Sequence, residues 1–378
     1  ARLHNTRSPL DNTRRSTMPD RIYNFAAGPA ALPLSVLEEA QSEFTNINDS
    51  GMSLLEMSHR SQPVETIMSE AESDIREVGN IPENYHILFL QGGASHLVSM
   101  VPMNLLSSDG HAEHIVTGHF AKLAYQDAQK IGDIHLAAST EEDKFSRIPT
   151  ADEYKLDPAA DYVHITTNNT IFGTEWKTIP KTGDVPLVAD TSSNMFSKPI
   201  DIQDYGLIYA GAQKNLGAAG VTLVIIREDL LKRSPDILPS MFNYNQHVKS
   251  KSAYNTPPVF GIYILGLVIK WLKGQGGLKN MDRINTQKAS LIYDVIDSTD
   301  FYRGHATKSD RSNMNVTFNL PTKDLEAKFA DSAASHGMVE IKGHRSVGGI
   351  RASIYNAFPI EGVERLTDFM KAFEKSHG

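Results

Sequence analysis

From Tyr85 to Ile226 the chain alternates short apolar runs with amphipathic segments, and this rhythm restricts the fold more than any other feature. The runs Tyr85–Leu90, Glu113–Thr117, Asp133–Ala137, Asp161–Thr167, Val185–Ala189, Gly206–Ala210 and Val221–Ile226 have strand length and are bounded by turn residues. Helical spacing fills several of the gaps, as in His96–Leu106 and Phe120–Lys130. Strands buried on both faces and joined by helices form a mainly parallel sheet covered on both sides. We therefore expect an α/β fold whose large domain holds a seven-stranded, mainly parallel sheet.

Two of the runs end on groups that can do chemistry. Asp190 follows Val185–Ala189, and Lys214 lies just beyond Gly206–Ala210. Ligands of parallel sheets bind at the carboxyl ends of strands. Around Lys214 stand Gly211, Ala212, Gly217, Ala218, Ala219 and Gly220, too small to shield an amine. A lysine that condenses with an aldehyde cofactor, and an acid that keeps the cofactor's ring nitrogen protonated, fit such a pair. Taken singly, each residue reads more readily as a solvated lysine and a helix-capping aspartate.

The flanks differ in texture. Arg21–Pro33 is extended and punctuated by Pro29 and Pro33, and Ser35 and Glu38 have capping-box spacing for a helix to about Thr45. Gly51–Gln62 reads as a loop and Val64–Val78 as an amphipathic helix. The apolar run from Val259 is too short to span a membrane and reads as a buried helix. Past Leu278 a long helix, the strands Asn313–Phe318 and Gly349–Tyr355, and helices near Lys323–Ser335 and Val363–Glu374 suggest a smaller α+β domain. The expected division is 34–277 for the large domain, with 18–33 and 278–378 forming the small one. Residues 1–17, with four arginines, one aspartate and no apolar stretch, read as an appended leader ahead of Met18, with a transit segment as the alternative.

Composition removes several classes. There is no cysteine, which excludes disulfides, thiolate metal sites and a cysteine nucleophile. A net charge of −8 argues against a broad nucleic-acid face. With neither signal sequence nor membrane span, we expect a cytoplasmic location, and the sequons at Asn48, Asn168 and Asn315 are chance matches. His111, His114 and His119 lack the spacing of a known metal motif, so no metal is expected. No GxGxxG, GxxxxGK or GxSxG pattern supports NAD, ATP or a serine nucleophile.

Three further stretches carry binding chemistry. Gln91-Gly-Gly-Ala-Ser95 joins a strand to a helix, where backbone amides and Ser95 suit a phosphate; an ordinary strand–helix turn looks the same. His59-Arg60 and His344-Arg345 are two His-Arg pairs in small-residue loops, able to form a cationic pocket if they converge. Arg351, six residues beyond, sits on an alternating strand and can clamp a carboxylate.

Collectively, Asn24-Phe-Ala-Ala-Gly-Pro-Ala, Met57-Ser-His-Arg, Gly92-Gly-Ala-Ser, Tyr209-Ala-Gly-Ala-Gln-Lys-Asn, Tyr254-Asn-Thr-Pro-Pro and the stretch Gly343–Asn356 closely resemble the phosphoserine aminotransferases, a class-V family of pyridoxal-phosphate enzymes with the type I fold. The likeness runs from just after Met18 almost to the C-terminus. It implies the Schiff-base role for Lys214 and the ring-nitrogen contact for Asp190. Ala94, Ser95 and Gln213 would hold the cofactor phosphate, and Thr170 the ring hydroxyl. Phe120 would stack on the ring, where many relatives carry tryptophan; some relatives have arginine in place of Ser95. Asn255 and Thr256 would reach the phosphate from a neighbouring subunit, which implies a homodimer with shared active sites. His59, Arg60, His344 and Arg345 would hold a substrate phosphate, and Arg351 the α-carboxylate.

The reaction so implied moves an amino group from glutamate to 3-phosphohydroxypyruvate in serine biosynthesis, with the phosphorylated hydroxythreonine of vitamin B6 synthesis as a further substrate. Alternatives are an alanine–glyoxylate type aminotransferase, a cysteine-desulfurase-like enzyme, which the missing cysteine disfavours, and a phospholigand-binding protein without turnover.

Overall fold

The computed structural model describes residues 21–345 and 347–378, so the expected leader lies outside the described residues. Seven strands make the central sheet: β1 (Tyr85–Leu90), β2 (His111–Val116), β3 (Asp133–Ser139), β4 (Val163–Thr166), β5 (Leu187–Asp190), β6 (Leu207–Gly211) and β7 (Thr222–Arg227). Their spatial order is β1-β7-β6-β5-β4-β2-β3. Only β7 runs against its neighbours; the pairs β2–β3, β2–β4, β4–β5 and β5–β6 are all parallel. The α/β fold with a seven-stranded, mainly parallel sheet is therefore present as expected.

Apolar residues of alternating parity fill the two faces of this sheet. Ile165, Ala189, Ile208 and Ile225 join a core with the helix Gln62–Val78 and the helix Val259–Gly274. Val188, Leu207, Tyr209 and Val224 face the helix Gly93–Leu105 on the other side. Val259–Gly274 is apolar nearly all round because it is buried, as its sequence suggested. A separate core gathers Phe25 with the helices Gly277–Asp297, Lys323–Ser335 and Ile360–His377 and the strands Asn315–Asn319 and Ile350–Ser353.

Two local expectations need correction. The first helix spans Leu34–Glu43 behind Pro33, with no side-chain cap. Pro33 sets the turn into the helix at φ −57°, which puts Ser35 inside it and beyond reach of a capping position. The capping box forms instead at Ser53 and Glu56, in the Gly51–Gln62 stretch read as loop. Two sequon asparagines are structural: Asn168 Nδ2 donates to Asn315 Oδ1 at 2.8 Å, and both residues are buried.

The extended N-terminal stretch is a strap between the cores. Tyr23–Asn24 pairs in parallel with Met338–Val339, and Tyr355 Oη donates to the Ala27 carbonyl at 2.7 Å. Ala30 N–H then reaches the Gln213 carbonyl at 2.9 Å. Gly28 lies between these anchors at φ +137°, and a Cβ there would sit 3.3 Å from Lys214 Cγ. The strap so packs directly on the lysine stem.

A fully buried lysine fixes the last strand and its turn. Lys288 Nζ donates to the carbonyls of Ile354 at 3.0 Å, Tyr355 at 2.7 Å and Phe358 at 3.1 Å. Asn285 on the same helix bonds Asn356 Oδ1 at 2.8 Å, and Asn356 N–H donates to Asn215 Oδ1 at 3.0 Å. Lys288→Met keeps the apolar stem and removes the donors, leaving buried carbonyls unsatisfied. We expect the unfolding free energy to fall by about 3 kcal/mol, read from urea titration. A loss below about 0.5 kcal/mol would show that the turn holds without this lysine.

Candidate active site

Asp190 and Lys214 are brought together by adjacent parallel strands. Asp190, 7% exposed, ends β5 beside Tyr209 of β6. Its Oδ1 accepts the Ser192 N–H at 2.9 Å, and Ser192 Oγ accepts the Gly211 N–H at 3.0 Å. This stitching fixes the carboxylate relative to the turn that carries Lys214. Lys214 Nζ donates to Thr170 Oγ1 at 2.8 Å and lies 5.5 Å from the centre of the Phe120 ring. Burial pushes the Lys214 amine down, Asp190 pulls it partly back up and the nearby Arg351 charge lowers it again, which leaves its pKa at about 8. The amine is therefore accessible as a neutral nucleophile near physiological pH.

A helix start that suits an anion lies at the same edge of the sheet, because Leu90 pairs with Thr222 and Thr222 with Gly211. The helix Gly93–Leu105 starts after Gly92, with left-handed φ of +86° at Gly92 and +68° at Gly93. No side chain caps its first turn, so the N–H groups there, Ala94 and Ser95 included, lack side-chain acceptors. A Cβ at Gly93 would meet nothing within 4 Å, so the approach is open. Oriented amides at a helix start bind phosphate. The Gln213 side-chain amide instead folds back over Gly211, where a Cβ would sit 2.7 Å from Oε1.

The opposite wall is cationic. Arg351 on the strand Ile350–Ser353 is close enough to Lys214 and His344 to depress both their pKa values. Its buried Nε has no hydrogen-bond partner among the described residues. His344, half-buried, is pushed down by burial first and then by Arg351, His119 and Arg345. A guanidinium whose Nε is unpartnered among the described residues, beside an amine of lowered pKa, suits a carboxylate.

Sequence reasoning missed two members of this wall. The His119 ring lies 6.0 Å from that of His344 and 5.5 Å from that of Phe120. Tyr355 accepts from Asn315 Nδ2 at 3.1 Å, donates to Ala27, and adjoins Thr170. Period-two spacing along Gly349–Tyr355 puts Tyr355 on the same face as Arg351, a signal that was present. His119 had no such signal. Of the three histidines weighed as metal ligands, His114 is buried and stacked on His164 at 4.6 Å, far in role from His119 and from His111.

Four expected residues lie elsewhere in the chain. His59 and Arg60 border a cavity of about 890 Å³ with Glu65, His86, Phe89 and Ser252. The buried His59 Nε2 has no hydrogen-bond partner among the described residues. Asn255 borders a smaller cavity with Gln91, Gly92 and His96, and the Thr256 carbonyl accepts from Gln91 Nε2 at 3.1 Å. Neither His344 nor Arg345 borders the cavity that holds His59 and Arg60, so one chain does not merge the two His-Arg pairs into a single pocket.

The residues of the Lys214 cleft fit pyridoxal phosphate: an amine, an uncapped helix start, an acid, and the Phe120 ring with 44% of its surface open. Comparison with known proteins agrees. The family model for class-V aminotransferases matches residues 22–366. The phosphoserine aminotransferase of Herpetosiphon aurantiacus is 51% identical over 358 residues, covering 94% of this chain and 99% of its own. Among solved structures, the phosphoserine aminotransferase of Bacillus circulans subsp. alkalophilus superposes with TM-score 0.94 at 49% identity, over 95% of this chain and 100% of that one. A pyridoxal-phosphate-bound phosphoserine aminotransferase from Trichomonas vaginalis gives 0.89 at 38% identity, over 93% and 100%. The chain belongs to the class-V aminotransferases, and within them to the phosphoserine aminotransferases.

Proposed function

We propose that the chain transfers the amino group of L-glutamate to 3-phosphohydroxypyruvate, giving 2-oxoglutarate and O-phospho-L-serine. The observation that carries the reading is the cleft wall of Arg351, His344, Arg345 and His119 facing an amine of lowered pKa. Such a wall supports substrates with two anionic ends. Pyridoxal phosphate supplies the aldehyde that takes up the amino group and a protonated ring that delocalises the electron pair left when the α-proton departs.

The chain's own residues do the remaining work. The uncapped amides of Ala94 and Ser95 would hold the cofactor phosphate, Thr170 would meet the ring hydroxyl, Phe120 the ring face and Asp190 the ring nitrogen. Arg351 fixes the substrate α-carboxylate, so the Cα–H bond is presented to Lys214 Nζ. Neutral Nζ accepts that proton and returns it, with Thr170 Oγ1 orienting the amine. His344 and Arg345 receive the distal phosphate of one substrate and the γ-carboxylate of the other. The adjustable histidine charge suits both.

We further propose a homodimer in which His59, Arg60, Asn255 and Thr256 complete the partner's site. Their own chain leaves His59 Nε2 without a partner among the described residues and sets the first His-Arg pair in a cavity apart from the second. The division into 34–277 and 18–33 with 278–378, a cytoplasmic location, and use of phosphorylated hydroxythreonine belong to the same proposal. The alanine–glyoxylate alternative is not favoured, since relatives at 51% identity carry the phosphoserine name.

The test is substrate preference. The holoenzyme should show a visible absorption band that borohydride removes, and a higher kcat/KM for glutamate with 3-phosphohydroxypyruvate than with pyruvate. Arg345→Ala is expected to raise KM for the phosphorylated substrate about 10–100-fold, the range of a lost charged hydrogen bond, with cofactor content unchanged. Equal or better efficiency with pyruvate would overturn the substrate reading.

A further inference from the structure

At the edge of the sheet opposite Lys214, the starts of β2 and β3 gather ionisable groups with no part in the chemistry above. His111 and Glu113 on β2 lie beside Asp133 and His135 on β3 in the parallel register. Ala112 and Ile134, which alternate with them, point into the core beneath the Gly93–Leu105 helix. All four ionisable residues therefore share the other face. One ligand atom from each of His111, Glu113 and His135 lies within 4.8 Å of the others.

Their surroundings are short of positive charge. Glu113 is 5% exposed, yet the only hydrogen bond its carboxylate accepts among the described residues is from the Asp157 N–H to Oε2, at 2.9 Å. Asp157 Oδ2 lies 3.3 Å from His111 Nε2, and Asp133 Oδ2 lies 3.2 Å from His135 Nε2. Among the described residues, no lysine or arginine forms a salt bridge with any of these three carboxylates. A buried carboxylate without a cation is costly. The two imidazole rings stack with centroids 4.5 Å apart and planes 23° from parallel, so His135 must turn before both rings can aim a nitrogen at one ion.

We propose that His111, Glu113 and His135 form a divalent transition-metal site, with Asp157 as a fourth oxygen ligand or an orienting partner of His111. Two imidazoles with a carboxylate select zinc-like ions over calcium or magnesium, whose preferred ligands are all oxygen. Tetrahedral zinc at about 2.0–2.1 Å from nitrogen needs the ligand atoms drawn closer than they stand. His135, with half its side chain in solvent, is free to rotate inward. Asp133 then plays the carboxylate-to-imidazole role that orients metal-bound histidines.

The test uses chelator-treated holoenzyme dialysed against zinc chloride, with metal analysis of the protein and calorimetric titration. About one zinc per chain is expected, with affinity reduced about 10–100-fold or more in both His135→Ala and His111→Gln. Because His135 is exposed, His135→Ala should fold and retain transaminase activity, so its metal content is interpretable even where His111→Gln is unstable. Zinc content well below one per chain, or zinc binding unchanged in His135→Ala, would overturn the site. Calcium binding as tight as zinc would overturn the assignment to a transition metal.

Discussion

Lys214→Ala is expected to reduce kcat by about 10⁴-fold or more while pyridoxal phosphate still binds. The proposed phosphate cradle at Ala94 and Ser95, the Asp190 carboxylate and the Phe120 ring are all independent of the lysine side chain, so affinity should survive. What disappears is the only amine that the fold brings within hydrogen-bond distance of Thr170 among the described residues. Dialysis against labelled cofactor separates this outcome from a folding defect. Turnover within about tenfold of the parent enzyme would remove Lys214 from its role.

The same residue gives a pH signature. Its pKa, pushed down to about 8, lies below the ordinary lysine value of 10.5. The cofactor-free protein should therefore recombine with pyridoxal phosphate at a rate that rises through about pH 8, not through 10.5. The linkage has a definite sign. Between these two values the unfolded chain holds the proton that the folded chain has released, so stability of the cofactor-free protein rises with pH across that window. Lys214→Ala should lose that part of the slope.

Asp190→Asn is the second large effect, a fall in kcat of about 10²–10⁴-fold. Asparagine keeps an oxygen for the Ser192 N–H and nearly the same volume, so packing at the end of β5 is preserved. The lost quantity is negative charge at the ring nitrogen, where protonation must be maintained. Asp190 also raises the Lys214 pKa, so the variant's amine should titrate below about 8 in the cofactor-free protein. A drop in kcat without that downward shift would point to a displaced loop. A shift with parental kcat would show that the ring nitrogen needs no carboxylate.

Much of the architecture is legible in the sequence. Every strand of the central sheet lies within a few residues of its expected run, because most are nearly continuous apolar segments and all are bounded by turn residues. Lys323–Ser335 and Tyr85–Leu90 agree to the residue. Boundaries failed where local chemistry was ambiguous. Ser35 and Glu38 carried the right spacing, but Pro33 started the helix too early for Ser35 to cap it.

The sequence by itself determined the α/β alternation, the strand ends that carry Asp190 and Lys214, and the motifs that place the chain in its family. These are local patterns, set by burial periodicity and by residues a few positions apart. Contacts across long separations were decided only by the tertiary structure. Tyr355 reaches Ala27, Lys288 gathers the carbonyls of 354–358, and His119 meets His344 across the cleft. No periodicity encodes such meetings, since each depends on how separate elements pack. Asp190 and Lys214 were visible as two residues; their placement, the lowered amine pKa and an Arg351 Nε without a partner among the described residues arise from burial in a shared cleft.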